Sequence, residues 1–288
     1  MKFSKKQILY AAYIIGIVIF FLYYLFPAET LKQYIAYRLT QGNPSIKVTI
    51  DRLRASLPPG VKLFDVTVSH KGEAIIGLDN LKITPGILSM LGSTKTMSFA
   101  GDAYSGKIKG TADIDEETQP QKLTVDAELS GIQIQRISTL QRMAEHKLSG
   151  LLNGQVAFKN SGRNQTANGN LTITTGRIDF AQPLLNQKFL AFKDIDAELA
   201  LKNQTLLIKR CSLKGSQLDA SISGTISLNT RTGGNRLNLD GTMKPHHVLL
   251  ATLEKSMPVN LLPREKAGSN GFSFKINGTL ESPIFSFK

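Results

Sequence analysis

Tryptophan is absent from this 288-residue chain and cysteine occurs once. A lone Cys211 excludes an internal disulfide and a cysteine-built metal centre, so stability has to come from packing and strand pairing. Cys211 lies in a strand-like stretch, Leu206 to Leu213, far from the N-terminus, where a lipoprotein would carry its acylated cysteine. It reads as a small buried hydrophobe. Acidic residues are also scarce: 22 Asp and Glu stand against 35 Lys and Arg, a net charge of +13, and removing Lys2, Lys5 and Lys6 still leaves +10. Such a field suits anionic lipid headgroups or acidic proteins, and dispersed surface lysines account for it equally well. Nucleic acid is not an expected partner, because no ribonucleoprotein, zinc-finger or helix-turn-helix pattern occurs.

Catalytic signatures are missing as well. There is no Gly-x-Ser-x-Gly elbow, no phosphate-binding glycine loop ahead of a helix and no His-Glu-x-x-His. None of His70, His146, His246 and His247 stands at ligand spacing from a carboxylate or the cysteine, and the adjacent pair His246-His247 would point to opposite faces of an extended chain. Asp113-Ile-Asp115-Glu116-Glu117 lacks the glycine and terminal glutamate of a calcium loop and reads as a solvated turn. Asn164, Asn203 and Asn277 head glycosylation-type triplets of a kind common by chance in polar strands. The chain is expected to be non-enzymatic, without cofactor or metal.

What is present begins with a run free of charge from Gln7 to Phe26, behind the basic segment 1–6. At about 1.5 Å per residue, Ile8 to Phe26 is long enough to cross a hydrocarbon core of about 30 Å, with Tyr10, Tyr13, Tyr23 and Tyr24 near its ends. Residues 7–26 are therefore expected to form a transmembrane helix. A cleaved signal would end in a small-x-small site, and Phe26-Pro27-Ala28 puts a bulky ring at the outer position. Lys2, Lys5 and Lys6 favour a cytoplasmic N-terminus, which puts the bulk of the chain in the periplasm of a bacterium with two membranes.

Pro27 breaks the helix, and within 27–44 the residues Leu31, Ile35 and Leu39, with Tyr34 alongside, form an amphipathic stripe. It either runs along the headgroup layer as an interfacial helix or caps the end of a sheet. From 45 to 288 the period is two. Ile46-Val48-Ile50 opens it, Leu57-Pro58-Pro59-Gly60 turns it, and Val61 to Val68 switches its apolar face, for which a bulge is the simplest cause. Further strands are expected at Tyr104–Ile114, Leu123–Leu129, Leu152–Phe158, Leu171–Ile173, Ile195–Leu201, Ile222–Leu228, Leu237–Met243 and Phe272–Leu280, none of them long. Helical interruptions are expected at Ile134–Lys147 and Val248–Lys255, and a subdivision is possible near 131–148.

A glycine recurs mid-strand in phase with the apolar face, at Gly106, Gly110, Gly154, Gly224, Gly241 and Gly278. Glycine weakens a strand, so its repetition points to strong curvature or close approach of another backbone. The fold class is mainly β: one N-terminal transmembrane helix, then a long, curved antiparallel sheet with few short helices.

The membrane helix, then Leu57-Pro-Pro-Gly-Val-Lys-Leu-Phe-Asp-Val66, Leu78-Asp-Asn-Leu-Lys-Ile-Thr-Pro-Gly-Ile-Leu-Ser-Met-Leu91 and Gly101-Asp-Ala-Tyr-Ser-Gly-Lys-Ile-Lys-Gly110 resemble, in that order, the type II secretion system protein N family in its delta-proteobacterial form. Leu148-Ser-Gly-Leu-Leu-Asn-Gly154 and the closing Phe272–Phe285 are similar to the strand repeats of AsmA-type proteins. The first resemblance implies an inner-membrane accessory of the machine that exports folded proteins, with other secretion-system subunits as partners. The second implies a curved sheet whose apolar face holds acyl chains, with membrane lipids as partners, in lipid transport or outer-membrane maintenance. The residues expected to form that apolar face, as a groove or as a core packed on a facing sheet, are Ile222, Ile226, Leu228, Phe272, Phe274, Ile276 and Leu280.

Overall fold

The computed structural model describes residues 5–41, 46–57, 59–70, 72–115, 117–118, 121–143, 147–162, 164–184, 187–228, 234–247, 249, 271–279 and 282–287. The chain divides into two compact units, Met1–Thr84 and Pro85–Lys288. The region 131–148 lies inside the second.

In the first unit, helix α1 (Lys5–Tyr24) is followed by helix α2 (Ala28–Gln41) and strands β1 (Ile46–Ser56), β2 (Gly60–His70) and β3 (Glu73–Pro85). Among the described residues no helix is long and apolar enough to cross a membrane. A helix does lie where the span over 7–26 is expected, as α1, but a membrane crossing by it is not supported; its side chains at 8, 11, 12, 15, 19 and 22 lie outside the description. Helix α2 carries its apolar stripe inward: Leu31 and Ile35 pack, with Phe26 and Ala28, against the buried Ile50, Leu53, Leu63 and Val66 of the β1–β2 hairpin. This packing on the hairpin is the kind of contact that the sheet-capping role calls for. Tyr34 stays exposed and the Leu39 side chain lies outside the described residues.

The switch of face within β2 is real, but an inserted residue does not cause it. The β1–β2 register runs without a shift from Ile50↔Val66 to Arg52↔Phe64 and Leu53↔Leu63. Instead Asp65 adopts a left-handed φ of 50°, and both strands turn over together. Val66 and Leu63, of opposite parity, are therefore both buried, while Phe64 stays on the wet side.

The second unit holds β4 (Thr94–Ala103), β5 (Gly106–Asp115), β6 (Lys122–Gln133), the short helix α3 (Ser138–Met143), β7 (Lys147–Ser161), β8 (Asn164–Leu184), β9 (Gln187–Lys202), β10 (Thr205–Gly215), β11 (Leu218–Ser227), β12 (Arg236–Pro245), β13 (Phe272–Thr279) and β14 (Pro283–Phe287). The protein is mainly β: among the described residues fourteen strands belong to one antiparallel sheet, and within each unit hydrogen-bonded neighbours follow sequence order. Several expectations need correction. Strands β3, β4 and β14 were not anticipated. Tyr104 does not open a strand: with φ of 50° at Tyr104 and 61° at Ser105, the pair forms the β4–β5 hairpin turn, whose two left-handed residues match the twist of the flanking strands. Nor are all strands short, since β8 runs 21 residues, roughly 70 Å at 3.3 Å per residue. The helix expected over Ile134–Lys147 is a 3-10 turn at Ile134–Arg136 followed by α3, and most of Val248–Lys255 lies outside the described residues.

The in-phase glycines have local causes. Gly154 and Gly224 hold φ of 153° and 139°, which L side chains rarely adopt, and a Cβ on Gly224 would also sit 2.8 Å from Leu239 Cα. Gly169, on the same face, has ordinary backbone and nothing nearer than 3.8 Å to a built Cβ. Replacement Gly224→Ala should therefore cost about 1–3 kcal/mol, whereas Gly169→Ala should change stability by less than about 0.5 kcal/mol. Denaturant midpoints of the two variants check this, and equal losses would contradict the local account.

Candidate functional site: an apolar sheet face

Because antiparallel partners share a face, the register can be followed from strand to strand. One row passes through Leu201, Leu206, Ile226, Leu237, Gly278 and Pro283 across β9 to β14. The next passes through Leu199, Ile208, Gly224, Leu239, Ile276 and Phe285, and a third through Ala197, Cys211, Ile222, Gly241, Phe274 and Phe287. In the other direction Leu201 continues through Ala167, Phe158, Val125 and Ala112 to Met97 on β4. Three adjacent apolar rows thus cross eleven strands, about 48 Å at the usual strand spacing.

Of the expected face residues, Ile222, Ile226, Phe272, Phe274 and Ile276 are brought to this one surface. Leu228 follows the end of β11, where its N–H donates to the Gln204 carbonyl, and Leu280 lies outside the described residues. Phe285 and Phe287 were missed, although the alternation Pro283, Phe285, Phe287 carried the signal. They extend the face at its edge: Phe274 and Phe285 stack at 5.1 Å, and Phe287 meets Phe285 edge-on at the same distance.

No facing sheet covers these rows among the described residues, so the expected alternative of a sandwich core is not what is seen. The 3-10 turn at Ile134–Arg136 and α3 pack against β7. Phe274 and Leu239 are buried at 4% and 8% exposure, but most of the row is half-buried and Phe285 and Phe287 are exposed by 47% and 55%. No described side chain falls below 2% exposure. The side chains are sheltered by their neighbours along the surface, which is what a single layer can provide. Cys211, half-buried in the third row, has its thiol pushed up by burial and by the charge of Asp196, so it is a weak nucleophile there.

The opposite face is wet and charge-paired. Lys209 reaches Glu198 at 2.8 Å, Lys109 reaches Glu128 at 3.1 Å, and Arg177 grips Asp179 at 2.6 Å while its guanidinium lies 3.8 Å over the Phe189 ring. The hydrogen bonds of Lys209 and Arg177 hold Glu198 and Asp179 below the usual carboxylate range. Asp113, in the acidic run, accepts from Thr96 Oγ1, and Asp115 accepts from the Glu117 N–H as a turn would have it. Among the described residues no three His, Cys, Asp or Glu are grouped to hold a metal. His246 is engaged instead with Asp219 Oδ2 at 3.1 Å and the Ser216 carbonyl, while His247 is exposed.

Burial alone would raise the Asp219 carboxyl, but the His246 hydrogen bond, the Gly215 N–H and the charges of His246 and Lys214 hold it low. A depressed native pKa adds stability above the ordinary carboxylate value and loses it as pH falls through the native one. With the pair half exposed, Asp219→Asn should cost under about 1 kcal/mol at neutral pH, and urea midpoints of the variant and the parent should converge as pH falls below the ordinary carboxylate range. A constant difference across that range would contradict the assignment. Against family models, curated proteins and solved structures, the chain finds no match.

Proposed function

We propose that this chain is a non-catalytic, membrane-anchored protein whose sheet holds acyl chains on its apolar face, acting in lipid transport or outer-membrane maintenance. The observation that carries the reading is the three-row apolar face with no second layer over it among the described residues. Large contiguous apolar surfaces on a folded protein need a cover. Acyl chains suit this one because the backbone groups beneath it are already used in the ladder, so an occupant without hydrogen-bonding groups leaves nothing unsatisfied. Helix α1 is the proposed anchor. Its 20 residues rise about 30 Å and carry no charge beyond Lys6. Leu9, Tyr10, Ile14, Phe20 and Phe21 on it are all more than half exposed, which favours a lipid surround. With Lys5 and Lys6 at its start, the N-terminus is cytoplasmic and the sheet periplasmic, at the inner membrane.

A photo-crosslinker at Ile226 in living cells tests this. Adducts to phospholipid or lipopolysaccharide are expected, and crosslinks confined to the chain itself would overturn the reading.

A second reading, an accessory of the type II secretion machine, is favoured by β14. Among the described residues one side of this strand's backbone has no ladder partner, and Ile284 is 62% exposed, an arrangement open to strand addition by a partner protein. Deleting the gene should then reduce export of folded substrates, and undiminished export counts against this role.

A further inference from the structure

On the wet side of the first unit, Arg54, Lys62 and Lys82 oppose one another directly across β1, β2 and β3. Like charges placed opposite across a sheet repel. Among the described residues no salt bridge brings a carboxylate to any of the three. Arg52 stands in the adjoining row with Phe64, and its one carboxylate contact is its neighbour Asp51, at 3.2 Å. Phe64 sits amid the cations, its ring centroid 5.3 Å from Arg52, 5.9 Å from Arg54 and 5.2 Å from Lys62. At these distances the half-buried ring offsets each cation by only about 1 kcal/mol. The cluster is therefore a site with excess positive charge and ready fork donors, the chemistry that receives a phosphoryl group.

Its position selects the source of that group. The Tyr23 hydroxyl, at the C-terminal end of α1, donates to the Ala55 carbonyl at 2.7 Å, beside Arg54. Lys82 Nζ donates to the Leu57 carbonyl at 2.9 Å, in a hairpin tip where Leu57 is 61% exposed. The cluster thus lies at the level where α1 ends, with an apolar side chain beside it.

We infer that Arg52, Arg54, Lys62 and Lys82 around Phe64 form a binding site for an anionic phospholipid headgroup of the membrane that holds α1. This rests on the reading of α1 as an anchor. The repulsion across the three strands is then relieved by the bound phosphate.

The test is native mass spectrometry of the full chain in non-ionic micelles containing equal phosphatidylglycerol and phosphatidylcholine. Phosphatidylglycerol should be retained over phosphatidylcholine by about tenfold or more, and the double variant Arg54→Gln/Lys62→Gln should abolish the preference. Both side chains lie on the wet face, so the fold is expected to survive, which circular dichroism checks. Lys159→Gln, on an exposed β7 position, should leave the preference intact. Equal retention of the two lipids, or an equal loss in Lys159→Gln, would overturn the site in favour of none or of diffuse charge. Alkaline carbonate extraction of cell membranes reports separately on the anchor. Release of the chain would refute that reading, while the adducts in micelles still decide the headgroup site.

Discussion

The antiparallel ladder is the constraint on which the rest depends. When each strand pairs only with its neighbours in sequence, the face of one side chain fixes the face of its partner, and the assignment propagates from β4 to β14. A slip of one residue anywhere would turn every apolar side chain beyond it toward water. The irregularities in the register preserve the pattern instead of breaking it. In β10 the extra residue between Ile208 and Cys211 changes parity and keeps Cys211 in the apolar row. In β6 the step from Leu129 to Ile132 does the same, with the Gly131 N–H satisfied by the Asn153 side chain.

A sheet has two faces, and the two units answer the apolar one differently. In the first unit Leu31 and Ile35 of α2 lie over the hairpin, and the four residues they meet are buried to between 3% and 6% exposure. That is the ordinary two-layer solution. In the second unit the rows are longer, yet the helical elements that the described residues define are a single 3-10 turn at Ser89–Leu91 and the Ile134–Arg136 turn with α3. The mostly half-buried state of the apolar rows follows from this difference in cover, and composition alone does not show it.

Much of this was legible in the sequence. Alternation exposed most strands because each has one wet face, and the repeated glycines marked the apolar rows, since they fall on them at Gly110, Gly154, Gly224 and Gly241. Strand β3 was hidden because Leu78, Leu81 and Ile83 break parity, and β4 because its apolar face holds Gly101 and Ala103 in place of large residues. The turn at Tyr104-Ser105 lacks the glycine or asparagine that marks such hairpins. The cationic cluster was invisible for a different reason. Arg54 and Lys62 flank a turn legible in the sequence, but Lys82 lies on the next strand and only the register sets all three side by side.

The glycines also bear on what the apolar face can hold. A Cβ on Gly110 would meet the Phe99 ring at 2.7 Å, one on Gly215 the Phe192 ring at 3.1 Å, and one on Gly241 would collide with the Phe274 ring. At Gly241 the missing side chain leaves its room to the ring alone, while at Gly110 and Gly215 neighbouring backbone carbonyls come closer still. Rings that lie flat screen the ladder from water and fill the row without standing up from it. Two sheets packed face to face need the reverse, upright side chains that interdigitate across about 10 Å. Rows in which glycines stand beside rings, as Gly241 beside Phe274, offer few upright knobs to a rigid partner layer, and the proposed acyl occupant needs none.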